Sequence, residues 1–222
     1  MMMRNEFTRN NIILLVCLIL IIFFYPALST HRVLIRDIIF TAIILTGAYS
    51  LDFAKKTRTI LIVSGAITIG LSWLNYLFVS DLVKIVSFLS FFCFNLFITV
   101  FMIRHIASSQ KVTPTIILNS INGYLLIGVL GAVLLSMAQL VQLIIFGSDS
   151  GAISFSGGTA AGLHDYLYFS FVTLTTLGYG DVTPVSAFAK SLTIIIAVSG
   201  QLYLTILVAI LVGKYLSNPE KR

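Results

Sequence analysis

The residues best placed to do chemistry form one string, Thr173-Leu174-Thr175-Thr176-Leu177-Gly178-Tyr179-Gly180-Asp181. Threonines close an apolar amphipathic run, and glycines then alternate with bulky residues. Glycine takes backbone conformations that residues with a Cβ avoid, so Gly178 and Gly180 let several successive carbonyls turn toward one line. A line of carbonyl oxygens can replace the water around a bare monovalent cation. The string sits between two long apolar stretches, Ile116 to Phe146 and Ser186 to Leu216.

Thr176-Leu177-Gly178-Tyr179-Gly180-Asp181 resembles the selectivity filter of the tetrameric potassium channels, with an ion-transport-2-type pore and the reference motif TVGYG. The preceding Tyr168 to Thr175 resembles that family's pore helix, and Pro184 its outer-mouth proline. The resemblance covers Asp165 to about Gly213; in the first half of the chain it extends only to the number of helices. The departure inside the motif is Leu177, where the reference has Val. Leucine is not β-branched and is looser at χ1, but the carbonyl it donates is unchanged.

The resemblance implies potassium ions, the transported substrate, bound by the carbonyls of Thr176, Leu177, Gly178 and Tyr179, with Gly180 completing the filter. Thr176 adds a hydroxyl. Several sites in a row let ions repel one another onward. Tyr179 is expected to point away from the pore, with Tyr168, Phe169 and Thr175 supporting the filter from behind and Asp181 anchoring its outer end. Tyr168 is a candidate donor to Asp181. Phe169 reads equally as plain apolar packing. At Val172 some relatives carry a carboxylate that pairs behind the filter, and this chain cannot.

The elements that position the filter follow from composition. The chain has 222 residues, 58% hydrophobic and 10% charged, against roughly 25% charged in soluble domains. Its apolar residues collect in runs long enough for the about 20-residue span that a hydrocarbon core requires. The expected fold is an all-α membrane protein. A four-helix peripheral bundle (1–104) leads through a linker (105–115) to a two-helix pore domain (116–222). That domain holds a re-entrant pore helix (164–176), a filter (176–181) and an inner helix (186–216). One loop cannot encircle an ion, so the resemblance implies three further identical subunits. The net charge of +6 sits in short loops and tails and is no nucleic-acid signal. Surrounding lipids are the other expected partner.

The six apolar runs are Ile12–Leu28, Val33–Phe53, Thr59–Val79, Leu82–Ile103, Ile116–Phe146 and Ser186–Leu216. The first competes with a signal peptide cleaved near Ala27-Leu28-Ser29, but it exceeds the usual apolar region of roughly 7–15 residues. With the N-terminus inside, ten Lys and Arg lie on the cytoplasmic side and four (Arg32, Arg36, Lys84, Lys190) outside. This places both termini in the cytoplasm, in a multi-pass protein of the plasma (inner or cell) membrane. Compactness suggests a prokaryotic source.

Gating residues are sparser. Gly200 is a hinge candidate or a point of close packing. Leu204, Val208 and Val212 recur at i+4 spacing and could close by dewetting or form a core stripe. A voltage sensor needs repeated Arg or Lys, each contributing about 2.3 kcal/mol per 100 mV. Leu82 to Ile103 holds a single Lys84, so steep voltage gating is not expected. Only Ser217 to Arg222 follow the last run, too few for a ligand-binding domain, which leaves lipid, tension, pH or a separate regulatory subunit as stimuli. His164 is the candidate proton sensor, and Asp165 the candidate N-cap of the pore helix. Cys17 and Cys93 lie inside apolar runs and read as free thiols.

Three rival functions remain. A nonselective cation channel would use the same fold with a degraded filter, and Leu177 is the only opening for it. A potassium transporter subunit would be expected to carry four pore loops in one chain. For an enzyme, paired carboxylates, a Cys/His cluster or a phosphate loop would be needed at membrane depth, and the sequence offers none.

Overall fold

The computed structural model describes residues 2–25, 32–51, 55–77, 80–147, 151–156 and 162–217. The chain is an all-α membrane protein. Helix α1 (Met2–Ile19) runs into a π-helical turn, Leu20–Phe24. Then follow α2 (Arg32–Ala48), α3 (Lys55–Leu77), α4 (Asp81–Ser108), α5 (Pro114–Phe146), α6 (Leu163–Leu174) and α7 (Ala187–Ser217). Strands β1 (Ile153–Phe155) and β2 (Val182–Pro184) pair antiparallel, Ser154 opposite Thr183. The proposed cleavage site and first-run end at 26–29, Asp52 and Phe53, Val79, parts of the 147–162 loop, and 218–222 lie outside the described residues.

All six apolar runs are helical over most of their described residues, with Tyr49 to Leu51 in a turn and Ser186 in a bend. Among the described residues, five helical stretches are long and apolar enough to cross a membrane: Phe7–Phe24, Lys56–Leu74, Asp81–Ser108, Pro114–Phe146 and Ala187–Leu216. Helix α2 has 17 residues and carries Arg36 and Asp37 near its start. Helix α5 has 33 residues, about 50 Å of helix, more than a roughly 30 Å hydrocarbon core needs.

The chain divides into two compact units. One takes its residues from Met1–Leu126 and Tyr203–Arg222, the other from Ile127–Leu202.

In the first unit α1 to α4 pack in chain order, because each buries an apolar stripe against the next. Leu14, Leu18, Ile21, Phe40, Ile43, Ile44, Phe91, Ile98 and Met102 are all buried. Phe40 stacks on Phe91, with ring centroids 3.9 Å apart. Several polar groups in this apolar setting are bonded to one another, which offsets the cost of burying them, while both side-chain polar atoms of the buried Asn119 are without a hydrogen bond. Asn11 Nδ2 donates to the Ser50 carbonyl at 2.8 Å, and Asn122 Nδ2 to the Asn11 carbonyl at 2.9 Å. Arg36 Nε lies 2.8 Å from Asp37 Oδ1. Lower α7 is bonded within the same unit. The Tyr203 hydroxyl donates to the Ser120 carbonyl at 2.6 Å, and Lys214 Nζ donates to the carbonyls of Ile106 and Ala107 at 2.5 and 2.9 Å. Leu204, Val208 and Val212 on this part of α7 are 39%, 57% and 50% exposed on the single chain.

Candidate ion-conducting site

The second unit holds the Thr173–Asp181 string between the latter part of α5 and the first part of α7. Helix α6, 12 residues long, is too short to span. It buries Tyr166, Leu167, Phe169, Ser170, Val172 and Leu174. Phe169 is therefore packed inside the chain, while Tyr168 is 40% exposed. Small residues let α6 approach its neighbours. The Ser170 hydroxyl donates to the Gly128 carbonyl at 2.7 Å, and the Phe171 ring lies where a Cβ of Gly128 would be. Gly200 on α7 faces the Leu174 carbonyl oxygen, into which any Cβ would collide. Close packing of Gly200 is thus a feature of the structure.

The N-terminus of α6 is capped differently from the sequence reading. Gly162, not Asp165, is the N-cap. Asp165 sits three residues in and its Oδ2 accepts from the Gly162 N–H at 2.9 Å. Glycine reaches the extended N-cap backbone without cost, and the carboxylate serves better one turn on, close to the free N–H groups. His164 Nε2 lies 3.3 Å from Asp165 Oδ1.

At its other end α6 unwinds into the filter string without losing backbone bonds. The Thr175 N–H and hydroxyl both donate to the Phe171 carbonyl, at 2.9 and 2.7 Å. The Val172 carbonyl accepts from Leu177 N at 2.9 Å and Gly178 N at 3.3 Å, and Thr176 N donates to Thr173 at 3.0 Å. Val172, singled out for the carboxylate it lacks, thus acts through its backbone. The Thr176 hydroxyl donates to the Thr175 carbonyl at 2.7 Å.

Positive φ recurs at every second residue: Thr176 at 60°, Gly178 at 58° and Gly180 at 83°. Thr176 is the one non-glycine with positive φ among the described residues. Left-handed backbone costs a side-chain-bearing residue roughly 1–2 kcal/mol, and here the flanking hydrogen bonds hold it. Alternation of right- and left-handed residues turns successive peptide groups the same way, gathering N–H groups on one side and carbonyls on the other. Residues 175 to 181 are all exposed on the single chain. Leu177 is 55% exposed, and Tyr179, expected to pack behind the filter, is 68% exposed.

The outer end of the string is pinned. The Tyr168 hydroxyl donates to Asp181 Oδ2 at 2.6 Å. That bond pushes the Tyr168 phenol up to about 12, because ionising it would cost the donor and set two anions together. Asp181 Oδ1 accepts from Val182 N at 3.1 Å. The strand pair β1–β2 closes over this corner. Its three-residue strands are too short to register as a period-2 pattern.

Residues 133–217 match the protein family described as "Ion channel". The matched segment holds α6, the Thr173–Asp181 string and α7. A curated relative is the two-pore potassium channel 4 of Arabidopsis thaliana, 39% identical over 66 residues. That match takes in 30% of this chain and spans 23% of the length of the relative. No solved structure matches the chain significantly. The domain and the relative support the potassium-channel family, and they point to a channel rather than an enzyme.

Proposed function

We propose that the chain is one of four identical subunits of a potassium-selective channel. Potassium ions cross passively on the carbonyls of Thr176, Leu177, Gly178 and Tyr179. The observation that carries this reading is the left-handed backbone at alternate residues 176, 178 and 180, inside an ion-channel domain. Such a strand can present consecutive carbonyls to one axis, and a dehydrated cation needs ligands of that kind. The exposure of the whole string on the single chain supports completion of the site by further copies, and four is the number that the resemblance to the tetrameric channels implies. Tyr179 likewise lacks a covering partner within its own unit at 68% exposure.

Lys84 and Arg104 are the only Lys or Arg in α4, and Lys84 is paired with Asp81 at 3.0 Å. The channel is accordingly not steeply voltage-gated. Both termini are cytoplasmic and the filter opens outward, on the distribution of Lys and Arg.

The test is a reversal potential in planar bilayers, with potassium on one side and sodium on the other. The expected reversal lies near the potassium equilibrium potential. A reversal near zero with clear current would replace this reading with a nonselective pore. Leu177 would then be the first residue to change.

A further inference from the structure

The filter's outer end is held by a segment that lies well before it in the chain. Asp181 uses its side chain on Tyr168 and Val182, but its main-chain carbonyl is taken up separately. Ser156 donates to that carbonyl twice, from its N–H at 3.0 Å and from its hydroxyl at 2.5 Å. Ser156 directly follows β1, whose residues Ile153, Ser154 and Phe155 pair with Pro184, Thr183 and Val182. The strand is itself anchored to α5. Gln139 Oε1 accepts from the N–H groups of Ala152 and Ile153 at 2.8 and 3.1 Å. The Ala152 carbonyl then accepts from Val185 at 2.8 Å and Ser186 at 3.2 Å. Ala152 is wholly buried and Ile153 nearly so. The Phe155 ring meets Tyr166 of α6 edge-on, with centroids 5.7 Å apart.

From this chain of bonds we infer that Ser156 and Gln139 are positioning residues for the filter. Ser156 holds the Asp181 carbonyl, the first beyond Gly180, the residue that completes the filter. Gln139 holds the strand that presents Ser156. The physical argument is one of occupancy. A carbonyl with two donors on it is not free to join the row or to rotate its peptide plane. The Asp181 carbonyl belongs to the Asp181–Val182 peptide unit, next in the chain to the Gly180–Asp181 unit, and Gly180 at φ 83° has no side chain to hold its own peptide in place. The outermost part of the filter therefore takes its orientation from outside the filter. The inference rests on the channel reading, and it adds which residues keep the filter in its conducting form.

Linkage supplies a consequence. If β1 stabilises the filter backbone that binds potassium, bound potassium must stabilise β1 by the same factor. Amide hydrogen exchange of residues 151–156, measured on the full chain in potassium and in sodium, reads this without any current. Exchange is expected to be slower in potassium, and Ser156→Ala should abolish most of that difference. In bilayers, Ser156→Ala and Gln139→Met should speed the decline of current during sustained opening by roughly 2- to 10-fold, the effect of losing one or two hydrogen bonds. Raising external potassium should restore much of the wild-type rate. Ser156→Thr and Gln139→Glu keep the donor and the acceptor and should behave like the wild type.

Equal exchange in potassium and sodium, or wild-type decline in both loss variants, would overturn the assignment while leaving the channel reading intact. A wild-type chain with no potassium-selective current would overturn the channel reading and, with it, this one.

Discussion

Gly200 on α7 and Leu174 at the end of α6 meet without a side chain between them, the Leu174 carbonyl oxygen occupying the place of a Cβ. Alanine there would gain about 1 kcal/mol of helix propensity and lose about 1–3 kcal/mol to overpacking. Gly200→Ala is therefore expected to lower the thermal stability of the purified protein in detergent, and Gly200→Val to lower it further. A melting curve checks both. An alanine variant as stable as the parent would mean that α7 shifts freely at this point.

The Tyr168–Asp181 bond predicts an alkaline signature. The phenol stands at about 12 instead of its ordinary 10.0, so its protonated form is favoured in the folded chain. Its contribution is complete below pH 10 and is lost as pH rises through about 12. Phenolate absorbance of the parent minus that of Tyr168→Phe should show one late-titrating group. In Asp181→Asn that group should move down toward 10.

Gly178 sits at φ 58° with open space around its Cα. Alanine is opposed there by backbone conformation alone, at roughly 1–2 kcal/mol. Gly178→Ala should fold, because nothing collides, yet reverse nearer to zero than the parent in the bilayer experiment. A D-alanine introduced by semisynthesis has the matching handedness and should restore the parent reversal.

Stepping the membrane voltage tests the charge-poor α4. Neutralising Lys84 and Arg104 together should change the steepness of opening by less than twofold, since neither belongs to a repeated series across the span. A marked loss of steepness would show that these two charges move in the field.

Legibility of the sequence was uneven, for physical reasons. The helices showed because hydrophobic length is read directly from composition, and the filter string because a glycine at alternate positions is a backbone statement. Tyr168 and Asp181 could be named as donor and acceptor because each had one chemical role to fill. Other features depended on tertiary placement. Asp165 carries the chemistry of an N-cap, but only the path of the chain into α6 decides that Gly162 takes that position. The roles of Gln139 and Ser156 could not be read, since a glutamine in an apolar helix and a serine in a Gly/Ser-rich loop signal nothing until β1 brings them together.

Lys214 caps the last turn of α4 through two carbonyls, where a cation is favoured by the helix dipole. Two helices are thereby moored at one bollard. Any displacement of the far end of α7 would have to cast off from Ile106 and Ala107 or tow α4 along. A peripheral helix with few charges of its own can in this way still set how far its neighbour travels.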